Sequence, residues 1–440
     1  MTDVELELKK LRAEIDSGKK AIKLAIENPL AASLSYGFSP LAMEDTTHRI
    51  IRLFRQQKKL GEKEIKYELE LEQERVKRVV REFEELHPPV LETCPICLED
   101  IRIYSTAEAY SVFSCCGNWL CTTCVRNNVL PGKIVKCPLC REAVPSRAEL
   151  GLFNKRLLTC VERGVAWAQF QAGGKYETGE VGMGVGGRPD MKKAVQHYLL
   201  AAEQNHAPAF VHLARLHKEG VPGLIEKSST KALEYELKAA DLGNFHAMAN
   251  IAASLSQYKF CGLKADYPMA VKYATLASHY ETENQTAAAA AAVLGLFFLQ
   301  EGTGLESSAN LAAHYLGLAV KYDESPFSPG FVEHHYSDCL RQQAENLYHF
   351  HITGFNVFPR ALFWLRKSSN AGWPAAKEAI ESLKSDQAGT GKCHACNATE
   401  ASSGKKFLRC GRCKLYCYCS KKCQMESWNA GHKVDCKSVY

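Results

Sequence analysis

The stretch KALEYELKAADLG, residues 231–243, decides how the middle of this chain is read. Ala232, Tyr235 and Ala239 fall three and four residues apart, the period of one helix face, and Gly243 closes the segment where a helix would end. The same pattern, alanine, then an aromatic-type residue at the third position on, then a small residue at the seventh, begins at Ala194, Ala232, Ala270, Ala312 and Ala361. Its rings are His197, Tyr235, Tyr273, Tyr315 and Trp364, and its small positions are Ala201, Ala239, Ala277, Ala319 and Ser368. The starts are separated by 38, 38, 42 and 49 residues. A second pattern precedes two of them: Ala168, Ala172-Gly173, Tyr176 and Gly179, then Ala209, Leu213, His217 and Gly220. Two helices per roughly 40 residues describe a stacked helical solenoid, with small residues where helices cross and rings wedged between neighbouring repeats.

These residues resemble the SEL-like repeat family, relatives of the tetratricopeptide repeats. The resemblance implies a mainly α fold and a concave face that takes protein partners. The longer step to Ala361 predicts a loop around Ser325 to Gly330.

Outward from the repeats, the cysteines stand in two groups. Of 19, eight lie between Cys94 and Cys140 and eight between Cys393 and Cys436, leaving Cys160, Cys261 and Cys339 dispersed. Pairs two residues apart place two sulfurs on one tetrahedral zinc ion, so the clusters read as metal sites and not as a disulfide framework. If fifteen thiolates hold four zinc ions, the formal +6 falls to about −1. Nucleic acid is therefore not an expected partner. The longest apolar run, Ala287 to Leu299, is too short for a membrane span, and the chain opens on Met-Thr-Asp-Val-Glu with no apolar secretory core. The expected compartment is the cytosol, the nucleus or both.

The first group reads Cys94-x2-Cys97, Cys115-Cys116, Cys121-x2-Cys124 and Cys137-x2-Cys140. It resembles a RING finger of the all-cysteine kind. The family's interleaving implies Cys94, Cys97, Cys121 and Cys124 on one zinc and Cys115, Cys116, Cys137 and Cys140 on the other. An alternative register takes Cys116-Gly117-Asn118 as a Cys-Gly-His whose histidine is lost, leaving three ligands and a spare Cys115. The resemblance implies a ubiquitin-protein ligase without a nucleophile of its own. In it Ile96 and Pro138 contact a ubiquitin-conjugating enzyme and Arg141 bridges enzyme and ubiquitin. Trp119 and Leu120 suit either groove or core. The other readings are a non-catalytic zinc-dependent scaffold and a transcription or chromatin regulator.

The second group reads Cys393-x2-Cys396, Cys410-x2-Cys413, Cys419-x3-Cys423 and His432-x3-Cys436. With Tyr418, Gln424 and Trp428 it resembles a MYND finger. That implies Cys393, Cys396, Cys419 and Cys423 on one zinc, and Cys410, Cys413, His432 and Cys436 on another. It also implies a groove for a proline-containing peptide, with Gln424 and Trp428 as its candidates. Cys417 is expected to be a free thiol.

The expected organisation is a helical, coiled-coil-prone region over 1–90, a RING-type finger over 91–145, a solenoid over 146–384, a linker over 385–392 and a MYND finger over 393–436. In the first region Val4, Leu8, Leu11, Ile15 and Ile22 keep heptad spacing, as do Ile65, Leu69, Glu72, Val76, Val79, Phe83 and Leu86. That stripe serves either a homodimer or a helix lying on the same chain. Pro88 and Pro89 end the helix. A Ser146/Glu149 capping box predicts the next helix start. Gly182 to Gly187 reads as a turn and not a phosphate loop, and Glu333, His334, His335, Asp338 and Cys339 as a solvated face.

Overall fold

A computed structural model of the protein describes residues 3–27, 40–102, 110–128, 136–144, 150–180, 187–256, 264–280, 285–321, 328–347, 358–380, 393, 407–412, 416–428, 433 and 436. Ser146, Glu149, Gly182 to Gly186, the 385–392 linker, Cys261, Cys396, Cys413 and His432 lie outside them. The elements are helices α1 (Asp3–Glu27) and α2 (Pro40–Leu86), short strands β1 (Leu91–Thr93), β2 (Asp100–Arg102), β3 (Tyr110–Val112) and β4 (Trp119–Cys121), and helix α3 (Thr122–Asn128). Then follow α4 (Leu150–Glu162), α5 (Ala166–Thr178), α6 (Met191–Ala202), α7 (Ala207–Glu219), α8 (Ser229–Asp241), α9 (Phe245–Ser256) and α10 (Tyr267–Tyr280). Next come α11 (Gln285–Phe297), α12 (Ala309–Ala319), α13 (Phe331–Leu347), α14 (Phe358–Asn370), a helix over 374–380, strands β5 (Leu408–Arg409) and β6 (Cys417–Tyr418), and α15 (Lys421–Ser427). The strands form three antiparallel hairpins, β1–β2, β3–β4 and β5–β6.

The chain divides into two compact units, residues 76–293 and residues 1–75 with 294–440. In both, the repeat alanines do what their spacing predicts. Ala194, Ala232, Ala270, Ala312 and Ala361 are buried, as are Ala201, Ala239, Ala277, Ala319 and Ser368. A helix face built of methyl groups lets a neighbouring backbone come close, and larger side chains would hold the pair apart. Gly173 carries this furthest: a Cβ there would sit 2.6 Å from the ring of Tyr198.

The rings differ from expectation. His197, Tyr235 and Tyr315 stack inside their own helical pairs, whereas Trp364 meets Tyr336 at a steep angle and Tyr198 meets His212 across neighbouring repeats. Tyr176 of α5 lies 5.2 Å from His197 of α6, and His217 of α7 lies 5.5 Å from Tyr235 of α8, nearly parallel in both cases. Phe298 and Tyr315 repeat the arrangement at 5.7 Å in the other unit. The second sequence pattern, which contains Tyr176 and His217, therefore supplies the partner of the first.

Helices 1 and 2 follow the same logic. Leu11 and Ile15 of α1 bury against Leu60 of α2. Further along α2, Glu68 accepts a hydrogen bond from Ser308 and Glu72 one from Tyr315. In the unit of residues 76–293, Phe83 is buried, with Lys272 over its ring, and Glu84 accepts from Tyr280. The stripe at Glu72 and Phe83 is thus covered by the chain's own repeats, while Leu86 is exposed. Pro40 opens α2, and the helix stops two residues before Pro88.

Candidate metal centres

The N-terminal cysteine module is built from three equivalent tight turns. Leu98 N–H donates to Cys94 O, Gly117 N–H to Phe113 O and Arg141 N–H to Cys137 O, each at 2.9 Å. Each turn then closes with a second bond, Cys94 N–H to Glu99 O, Phe113 N–H to Asn118 O and Cys137 N–H to Glu142 O. The residue after the second ligand position is left-handed in all three: Leu98 at φ 59°, Gly117 at φ 80° and Arg141 at φ 63°. That conformation costs about 1 kcal/mol for a side-chain-bearing residue, so holding Leu98 and Arg141 there needs a strong local reason. The reason is the turn itself, which aims its ligand positions at one point.

Superposing the turns by sequence explains the adjacent pair. Cys116 corresponds to Cys97 and Cys140, but the position of Cys94 and Cys137 is taken by Phe113. The missing sulfur comes from Cys115, at the position of Ile96 and Leu139. The sulfurs of Cys94, Cys97, Cys121 and Cys124 all lie within 4.8 Å of one another, and so do those of Cys115, Cys116, Cys137 and Cys140. Measured separations are 3.7 Å for Cys97–Cys121, 3.9 Å for Cys116–Cys137 and 3.4 Å for Cys140–Cys115. A tetrahedral ion with bonds of about 2.3 Å requires ligand edges of about 3.8 Å. Four thiols fit zinc; the three-ligand register that omits Cys115 does not describe this geometry.

Clustered thiols divide the charge unevenly. Burial works against ionisation of Cys94, but backbone N–H groups of Cys121, Cys97 and Ile96 bring it down to about 6. Cys124 is pushed up to about 12 by burial and then by the neighbouring Cys121. A divalent cation would hold all four as thiolates.

The second sulfur set is also gripped from outside. Trp167 Nε1 donates to Gly117 O at 2.9 Å, Arg163 to Cys116 O at 3.2 Å and the buried Cys160 thiol to Ser114 O at 3.4 Å. Arg156 bonds Ala143 O and pairs with Glu142. Helices α4 and α5 therefore orient the turn that carries Cys115 and Cys116. Nothing in the cysteine spacing signals this, though Cys160 was one of the three cysteines without a cluster.

Of the residues expected to meet a conjugating enzyme, Ile96 and Arg141 are exposed and Pro138 is half-buried. Leu98, which sequence reasoning did not select, is the most exposed large apolar side chain among the described residues of the module. Leu120 is fully buried and belongs to the core, and Trp119 packs against that core in a T-shaped contact with Tyr110.

In the C-terminal module the sulfurs of Cys393, Cys419 and Cys423 converge, and Cys410 lies 3.7 Å from Cys436. Cys396, Cys413 and His432 are outside the described residues, so each set is seen in part. Ser420 caps α15 by accepting from Cys423 N–H, which fixes Cys423 beside Cys419. Tyr416 and Tyr418 are buried behind the sulfurs, and Trp428 packs on the same cluster. Gln424 is half-buried and one turn away. Cys417 stays outside the converging set, and burial pushes its thiol up. Among the described residues, the Glu333 to Cys339 group does not converge. His334 pairs with Asp338 along α13, and Cys339 is buried.

Comparison with known proteins matches this architecture in two places. The Sel1 repeat family matches residues 168–206, 211–244, 246–279, 288–321 and 354–373, and the MYND finger family matches residues 393–436. The chain carries Sel1 repeats and a MYND finger. Among curated proteins it is similar to a chitin synthase regulator of Malassezia restricta, 33% identical over 87 residues, or 20% of this chain and 6% of the relative. Chitin synthase regulatory factor 1 of Schizosaccharomyces pombe is 41% identical over 59 residues, 13% of each chain. The chain thus spans only a small part of either relative. Among solved structures it is similar to a Sel1 repeat protein from Oxalobacter formigenes at 22% identity, covering 54% of this chain and 83% of that one, with a TM-score of 0.41. An Escherichia coli protective antigen displaying an SLR fold follows at 20% identity, 55% and 46% coverage, with a TM-score of 0.42.

Proposed function

We propose that this protein is a zinc-dependent adaptor in which the 91–145 module acts as a RING-type finger in ubiquitin transfer, while the Sel1 repeats and MYND finger hold the protein to be modified. The chain would carry four zinc ions, two in each module, and work in the cytosol or nucleus. The observation that carries the reading is the interleaved pair of four-sulfur sets with Ile96 and Arg141 left exposed at the turns. A module of this kind supplies no nucleophile. It accelerates transfer by holding a thioester-charged enzyme in one pose, and the planar, five-donor guanidinium of Arg141 suits the bridge between two proteins. Gln424 and Trp428 would line the peptide groove of the MYND finger. Self-association through α2 would have to use Leu86 and its neighbours, since Glu72 and Phe83 already face the chain's own repeats.

The test is a reconstituted transfer assay across a panel of conjugating enzymes with zinc-loaded protein. Discharge of at least one charged enzyme is expected, falling about tenfold or more in Ile96→Ala and Arg141→Ala. Equal discharge by wild type and both variants would sink the ligase reading. A second reading, a scaffold without ligase activity, is favoured by the names of the relatives, both described as regulators of another enzyme. It expects no binding to any member of the panel.

A further inference from the structure

In the unit of residues 76–293 a cavity of about 510 Å³ opens between strand β3 and the first helices of three successive repeats, α5, α7 and α9. The volume falls in the range of ligand-binding clefts. Its repeat side is periodic. Gln171, His212 and Asn250 each stand three residues after a fully buried alanine of their helix (Ala168, Ala209 and Ala247), and all three line the cavity. The solenoid therefore presents a ladder of side chains that both donate and accept hydrogen bonds, one rung per repeat. Trp167, Phe170 and Phe245 supply an aromatic wall.

The opposite side is a strand edge. Tyr110 faces Cys121 and Val112 faces Trp119 in the β3–β4 hairpin, and the bond from Phe113 N–H to Asn118 O fixes which pairs exchange hydrogen bonds. In an antiparallel ladder these alternate. Ser111 therefore bonds towards β4, and the N–H and C=O of Tyr110 and Val112 point away from it. Those are the two strand residues that line the cavity, and among the described residues β3 pairs with β4 alone. An open edge beside a shaped pocket is the arrangement that accepts an added strand.

Among the described residues, the lining contains no Asp, Glu, Lys or Arg. Its three histidines stay neutral near pH 7: burial lowers His206 to about 4 and lowers His212 and His246 as well. A phosphate, a carboxylate or a basic peptide finds no counter-charge in such a lining, and neutral hydrogen bonds alone would have to offset its lost hydration.

We infer that this groove binds an uncharged, extended peptide segment, which adds to the open edge of β3, runs its backbone along the Gln171–His212–Asn250 ladder and buries one aromatic or large aliphatic side chain against Trp167 and Phe170. The inference rests on the repeats being a partner-binding surface, and not on ligase activity.

The probe is a phage-displayed library of random linear 12-residue peptides, panned on the zinc-loaded full chain, with the enriched sequences synthesised and titrated. Enrichment of uncharged peptides with an aromatic or aliphatic anchor is expected. Val112→Pro removes only the outward N–H and should weaken their binding about tenfold or more. Gln171→Ala, at an exposed helix position that leaves the core untouched, should weaken it threefold to tenfold. Hydrogen exchange at residues 110–112 should slow by at least tenfold with peptide bound, a readout that stands even if Val112→Pro misfolds. Peptides that bind equally to wild type and Gln171→Ala and leave residues 110–112 unprotected would overturn the groove while sparing the repeats as a binding surface. Enrichment of charged peptides overturns it too. Recovery of no binder overturns both.

Discussion

The hydroxyl of Tyr315 donates a 2.6 Å hydrogen bond to the carboxylate of Glu72, joining α12 to α2 across 243 residues of sequence. Glu72 is buried and also takes two 2.7 Å bonds from Arg75. A carboxylate in that setting is stable only while its donors remain. Tyr315→Phe should cost about 1.5–3 kcal/mol, the usual range for a bond to a charged group. Glu72→Ala should cost more, since it takes from the half-buried Arg75 guanidinium the carboxylate that balances its charge. Urea unfolding measures both, and a loss of a few tenths of a kcal/mol would mean that α2 is held by other contacts.

Two adjacent glycines of α5 should behave differently. Gly173→Ala brings a methyl group to 2.6 Å from the Tyr198 ring and should destabilise by about 1–3 kcal/mol. At Gly174 the same methyl meets only the Tyr198 hydroxyl at 3.7 Å. Gly174→Ala should be neutral or raise stability by up to about 1 kcal/mol through helix propensity. Thermal melts of the pair decide whether close helix approach, and not glycine content, explains Ala172-Gly173.

Stability should decline in mild acid partly through His206. Its ring is buried at the start of α7, and burial lowers it from 6.5 to about 4. Between those values the unfolded ring binds a proton that the folded ring refuses, so stability falls as pH drops through the window, by on the order of 3 kcal/mol in full. Asn244 holds the equivalent place in the next repeat and caps α9 by accepting from Ala247 N–H. His206→Asn should keep the fold and flatten the pH slope. An unchanged difference between pH 7 and pH 4.5 would refute this.

Zinc content distinguishes the ligand sets. Elemental analysis of wild type should find about four ions per chain. Cys115→Ser should lose about one, because Cys115 supplies the sulfur that the Phe113 turn lacks, whereas Cys417→Ser should lose none. Retention of all four by Cys115→Ser would restore the three-ligand register with Cys115 as a bystander.

Much of this molecule is readable from spacing. The repeat alanines, the small residues seven further on and the cysteine pairs act over one or two turns of chain, where backbone geometry ties sequence distance to spatial distance. The interleaving of the sulfur sets came from family likeness, and the three matching turns give it a physical basis. The position of Cys115 was ambiguous because Phe113, not a cysteine, fills the first place of its turn.

By itself, then, the sequence determined that helices pair in about 40-residue units and that two groups of thiols gather at either side of them, since both follow from local periodicity. Only the tertiary structure decided where α2 lies, that His197, Tyr235 and Tyr315 stack within pairs, that α4 and α5 grip the Cys115–Cys116 turn through Trp167 and Cys160, and that a strand edge meets the Gln171–His212–Asn250 ladder. Those are contacts between residues dozens to hundreds of positions apart. They depend on which surfaces of already formed elements fit one another, and no short-range pattern in the chain encodes that fit.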